Sequence, residues 1–198
     1  MPAETVSPRW TIVTWLVAGI DAGAIGRALQ PLGADAIALQ SLHEADAEQV
    51  ADDLGVERAW ERSFHPRSRL LAGSALGLAV LSPHSIGDSV SVVTNNHSSI
   101  WSRHRRIAQF AVVHRDDHSG YTIGHAVGSP DPESMGPPPA PLVWCRPQQV
   151  GIDADRAVEV PDDATVVDAT TARPVDGSAP LLTVIFEMPW VQGDFPTP

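Results

Sequence analysis

"RWTIVTWLVAG", Arg9 to Gly19, decides the reading of this chain. It is apolar and rich in β-branched residues, so it predicts a buried strand. Immediately after it, "AGAIGRALQPLG" (22–33) places Ile25, Leu29 and Leu32 at helical spacing, with Gly33 as the stop. "ADAIALQSL" (34–42) returns to a buried strand. Strand, helix, strand implies a crossover and an α/β sheet. "EADAEQVADDLG" (44–55) predicts a second helix, with acids in its first turn and Gly55 past its end.

Downstream the chain is strand-rich. "SALGLAVLSP" (74–83) predicts a third strand closed by Pro83, and "SIGDSVSVVTN" (85–95) alternates into a fourth. "RRIAQFAVVHR" (105–115) and "GYTIGHAVGS" (120–129) predict a strand pair about the turn "DDHSG". "SPDPESMGPPPAPL" (129–142) is a proline-rich loop that excludes a helix. "LVWC", "RAVEV" and "ATVVDA" follow as short apolar stretches, and "APLLTVIFEM" (179–188) is the last strand. The expected organisation is a single domain over 1–198, with a core of about 9–189 and a tail, "WVQGDFPTP", over 190–198.

Composition narrows the function classes. The 198 residues carry a formal net charge of −11, which disfavours a surface built to neutralise nucleic-acid phosphates. All 13 basic residues are arginine. The lone Cys145 cannot form an internal disulfide, no apolar run reaches the roughly 20 residues of a membrane span, and no secretory signal is legible. A cytoplasmic protein without membrane insertion is the expectation.

Five stretches, taken in order, resemble the endonuclease/exonuclease/phosphatase family. "TIVTWLVAG" resembles its first strand, which usually ends T-W-N. "GADAIALQSLH" is similar to its strand ending L-Q-E, and "GLAVLSPHSI" to its L-S-R strand. "GYTIGHAV" is similar to its N-T-H-L strand, and "SAPLLTVIFEM" to its closing S-D-H-x-P strand. The resemblance implies a two-sheet β-sandwich flanked by helices, truncated relative to the family. It also implies the family's chemistry, metal-assisted phosphoester hydrolysis. An acid on the second strand holds a divalent cation, usually magnesium, while histidine, aspartate and asparagine activate water and stabilise developing charge.

Carried over residue by residue, the pattern departs from that chemistry. The first-strand asparagine falls on Leu16, and the metal-binding glutamate falls on Ser41. The aspartate and histidine of the closing motif fall on Gly177 and Ser178, with Asp176 one residue early. The G-D-x-N strand has no counterpart in "PLVWCRP", the "GDF" at 193–195 is out of order, and the R-x-D-Y aspartate falls near Gln148 or Gln149. His125 is the one matched catalytic-type position, either a phosphate-contacting or base-like residue or an inherited histidine satisfied by hydrogen bonds.

The expectation is therefore a pseudoenzyme with a degenerate site and no cofactor, acting as a binding or structural subunit through a protein partner or as an oligomer. Two alternatives stay open. One is a magnesium- or manganese-dependent phosphodiesterase or nuclease with displaced ligands, Glu44, Asp131 and Asp153 acting with His125. The other is a nucleotide or small-ligand binder. Trp144, Trp190 and Met135 are the candidate partner surface, because they flank segments that replace or extend family structure. "SSIWSRHRRIAQF" offers a candidate anion contact at Arg103, Arg105 and Arg106, beside His104 and Trp101, or a solvated lead-in to a strand. His97 with His104, and His114 with His118, are near in sequence but lack a zinc spacing.

Overall fold

The computed structural model describes residues 8–63, 75–94, 107–115, 120–126, 141–146 and 158–188. The first strand is β1 (Arg9–Leu16), followed by α1 (Ala22–Leu29), β2 (Ala36–His43) and α2 (Glu44–Leu54). β3 (Glu57–Arg62), β4 (Leu76–Ser82), β5 (Ser85–Val93), β6 (Ile107–His114) and β7 (Gly120–Ala126) come next. β8 (Leu142–Cys145), β9 (Val158–Glu159), β10 (Thr165–Ala172) and β11 (Leu181–Glu187) complete the order. They form two sheets, a six-stranded one ordered β10-β11-β1-β2-β4-β3 and a five-stranded one ordered β5-β6-β7-β8-β9.

β1 and β2 are parallel, as the crossover through α1 demands. Asp21 caps α1, its side chain accepting from the Ala24 amide at 3.1 Å. A short 3-10 turn over Gln30–Leu32 then ends at Gly33, and α2 ends at Gly55. Both glycines adopt the left-handed conformation, with φ of 55° and 67°, that closes helices.

Alternation along the strands sets three apolar layers. Trp10 and Ile12 of β1 meet Ala111 and Val113 of β6, Tyr121 and Ile123 of β7, and Leu182, Val184 and Phe186 of β11 between the sheets. Val13 and Trp15, on the opposite face of β1, pack under Ile25 and Leu29 of α1 and Val50 of α2. On the far side of the second sheet, Ala108, Phe110, Ala126 and Trp144 form a third cluster. The sandwich with flanking helices expected from the sequence is thus the fold observed.

Three expectations need comment. β3, "ERAWER", was not legible as a strand, because its charged ends disguise a half-buried edge position against β4. Trp144, expected at a partner surface, is buried. It is 2% exposed, because β8 lies between β7 and β9 and the indole rests on Gly124. Met135, Trp190, Arg103, Arg105, Arg106, His104, Trp101, His97, His118, Asp131, Asp153, Gln148 and Gln149 lie outside the described residues, as do most of the proline-rich loop and the tail.

Candidate functional site

The register of the first sheet gathers several of the family-matched positions at one end. Leu16 ends β1 opposite Gln40 of β2, and Trp15 pairs with Leu181 at the start of β11. The turn carrying Gly177 and Ser178 therefore lies just beyond the end of β1. The Trp15 indole nitrogen secures it by donating to the Ala179 carbonyl at 2.9 Å. Gly177 has φ 74°, and the Ser178 amide donates to the Val175 carbonyl at 3.1 Å.

Ser41 occupies an unusual place. It sits where the β2–β4 register shifts between Gln40 and Leu42, and its φ is 64°. A bulge adds one residue to a strand and resets its alternation. Gln40 accordingly keeps to the inter-sheet side, while Leu42 joins the helix-side core. A serine with positive φ is uncommon, because its Cβ crowds the backbone there.

His125 is fully buried and lies across the sandwich from Ser41's neighbour, Gln40. Its Nδ1 is 3.3 Å from Gln40 Nε2, and its Nε2 is 2.8 Å from Gln109 Oε1. Gln40 Nε2 also donates to the Ala38 carbonyl at 3.1 Å and to Thr14 Oγ1 at 3.0 Å. Gln109 Nε2 donates to the Ala59 carbonyl at 3.1 Å and to Ser89 Oγ at 3.1 Å. A polar chain thus runs from β1 and β2, through β7 and β6, to β5 and β3.

The backbone carbonyls fix the polarity of this chain. A carbonyl accepts and never donates, so Ala38 and Ala59 each demand an amide nitrogen facing them. That leaves Gln109 Oε1 to accept from His125 Nε2–H, and the bare Nδ1 to face the Gln40 amide nitrogen, whose two hydrogens are shared among Ala38, Thr14 and the ring. The imidazole is a neutral Nε2–H tautomer. Burial pushes its pKa from 6.5 down to about 3, since the charged ring would lose its hydration. Both ring nitrogens are engaged within the protein, so His125 presents no free base to a bound substrate.

Glu44 is exposed at the first turn of α2, the placement its helix-start composition implies. Cys145 is buried, and burial pushes its thiol up to about 12, which keeps it protonated and inert. Among the described residues, no three His, Cys, Asp or Glu side chains gather closely enough to hold a metal ion. The divalent cation that the fold family implies needs hard anionic oxygens. Leu16 supplies carbon, Ser41 and Ser178 supply neutral hydroxyls, and Gly177 supplies nothing, so these positions do not fit it.

The residues that organise this region are glutamines, Gln40 and Gln109, which sequence reading passed over as site residues. Their signal was present: each is a lone amide within an apolar strand, "AIALQSLH" and "IAQFAVVH". A buried amide must be hydrogen-bonded, so each announces a partner across the sandwich.

No protein-family model matches the sequence, and no curated protein matches it. Solved structures do. An endonuclease/exonuclease/phosphatase from Beutenbergia cavernae is similar, with a TM-score of 0.70 at 13% identity, over 91% of this chain and 72% of that one. A Bacteroides vulgatus endonuclease/exonuclease/phosphatase has a TM-score of 0.66 at 9% identity, over 92% of this chain and 100% of that one. The human Nocturnin catalytic domain, solved with a bound sulfate, has a TM-score of 0.63 at 11% identity, over 91% of this chain and 93% of that one. The chain has the endonuclease/exonuclease/phosphatase fold.

Proposed function

We propose that this is a non-catalytic protein of the endonuclease/exonuclease/phosphatase fold, a single cytoplasmic domain that serves as a binding or structural subunit through protein contacts. One observation carries the reading. The sole matched catalytic-type residue, His125, is sealed between the sheets with its ring nitrogens facing Gln40 and Gln109, and the residue after Gln40 is Ser41, where the resemblance places the metal-binding glutamate. Fold and chemistry separate readily, because function resides in a site and not in the scaffold.

The sheet edges support a binding role. The edge strands β5 and β10 expose Val90, Val93, Val166 and Val167, each about half-accessible, and open edges are where other chains add. No helix among the described residues is long and apolar enough to cross a membrane. The lone, buried Cys145 supports a reducing compartment.

An activity assay tests the proposal. With magnesium or manganese present, the purified protein is expected to hydrolyse bis(4-nitrophenyl) phosphate no faster than buffer does. Metal-dependent turnover that disappears in Glu44→Gln or His125→Gln would instead establish a working site with displaced ligands.

A further inference from the structure

The Gln40–His125–Gln109 bridge has a property that neither fold nor family requires. Its hydrogen bonds have a single permitted polarity, because the Ala38 and Ala59 carbonyls hold the two amides from either end. A second proton on the ring would have to sit on Nδ1, which faces the Gln40 amide nitrogen at 3.3 Å. Two donors would then point at each other between fully buried side chains. The remaining adjustment, rotating the Gln40 carboxamide, would bring its Oε1, which has no partner in the closed state, against the Ala38 carbonyl, setting acceptor against acceptor.

Among the described residues, the strands around His125 bring no counter-charge to the ring. β2 offers Gln40 itself, with His43 further along and bonded to the Ala75 carbonyl. β4 carries no ionisable group, and β6 offers Gln109, with His114 at its end. β7 adds Tyr121, and β8 adds Cys145, the register partner of His125, as a neutral thiol. Along the hydrogen bonds, the first carboxylate reached is Glu61, 3.5 Å from Ser89 Oγ on the far side of Gln109.

We propose that this bridge is an acid-released latch: a proton arriving at His125 sets donor against donor at Gln40 and frees the two sheets from each other. The sign follows from linkage. The closed state holds His125 neutral down to about pH 3, whereas the open state takes its proton at the ordinary 6.5. The contribution of the latch is intact above pH 6.5 and is lost as pH falls from 6.5 toward 3.

The test is the urea-unfolding constant of the full chain across pH, in the natural protein and in His125→Gln. Glutamine keeps an amide to donate to Gln109 but does not titrate. Between about pH 7.5 and about pH 4.5 the unfolding constant should rise on the order of a hundredfold more in the natural protein than in the variant. Equal pH dependence in the two would overturn the proposal. Should the variant not fold, nitrogen NMR of the natural protein decides. An Nε2–H imidazole that does not titrate while the protein stays folded supports the latch, and a folded-state midpoint near 6.5 refutes it.

Discussion

Replacing Gln109 with leucine is expected to destabilise the protein by about 3–5 kcal/mol, seen as a lower urea midpoint at neutral pH. Leucine has a similar volume, so the loss would not come from a cavity. It would come mainly from the buried His125 Nε2–H, left without an acceptor, and to a lesser degree from the part-buried Ala59 carbonyl and Ser89 Oγ, which each lose a donor while Ser89 keeps Glu61. A buried polar group left unpaired costs about 1–3 kcal/mol, far more than the net worth of an ordinary hydrogen bond. The three strands holding those groups, β7, β3 and β5, belong to both sheets, so the effect should extend across the sandwich. A change below about 1 kcal/mol would mean that the polar chain is incidental to the fold.

Gly124→Ala is the second large effect, at about 2–3 kcal/mol. A Cβ at this position would lie 2.5 and 2.8 Å from two carbons of the Trp144 ring and 2.9 Å from Leu142 Cδ1. Real Cβ contacts do not come so close, so the indole would have to move out of its layer with Phe110, whose ring centre is 5.8 Å away. Trp144→Ala alone should cost about 3–5 kcal/mol by emptying that layer. Because the clash is with the indole, the cost of adding the methyl should shrink in the double variant. A double-mutant cycle should therefore show strong coupling between Gly124 and Trp144. Strict additivity would place the origin of the glycine requirement elsewhere.

How far this protein can be read from its sequence depends on which residues speak for themselves. The crossover β1–α1–β2 was legible because Ile25, Leu29 and Leu32 recur at helical spacing between two apolar strands, and glycines 33 and 55 stop the helices. Strand order across the two sheets came from a likeness of short motifs and not from local pattern, since pairing between distant strands leaves no local mark. β3 was hidden because its exposed charges resemble a solvated surface. Trp144 misled for the opposite reason: a tryptophan beside a proline-rich loop suggests a surface, but here a glycine on the neighbouring strand makes room for it inside. The missing asparagine at Leu16 and missing acid at Ser41 were plain in the sequence. The role of His125 was not, because it is decided by Gln40 and Gln109, which lie 85 and 16 residues away. The left-handed bulge at Ser41 was equally illegible, serine being an ordinary strand residue.

The central claim is that the matched positions no longer form a cation site. Manganese, which substitutes for magnesium at oxygen ligands, tests it directly by electron paramagnetic resonance titration of the purified protein. The account predicts no binding tighter than about millimolar. A single stoichiometric site, abolished by changing Glu44 or Asp131, would contradict it and show that the metal centre has been rebuilt from other ligands.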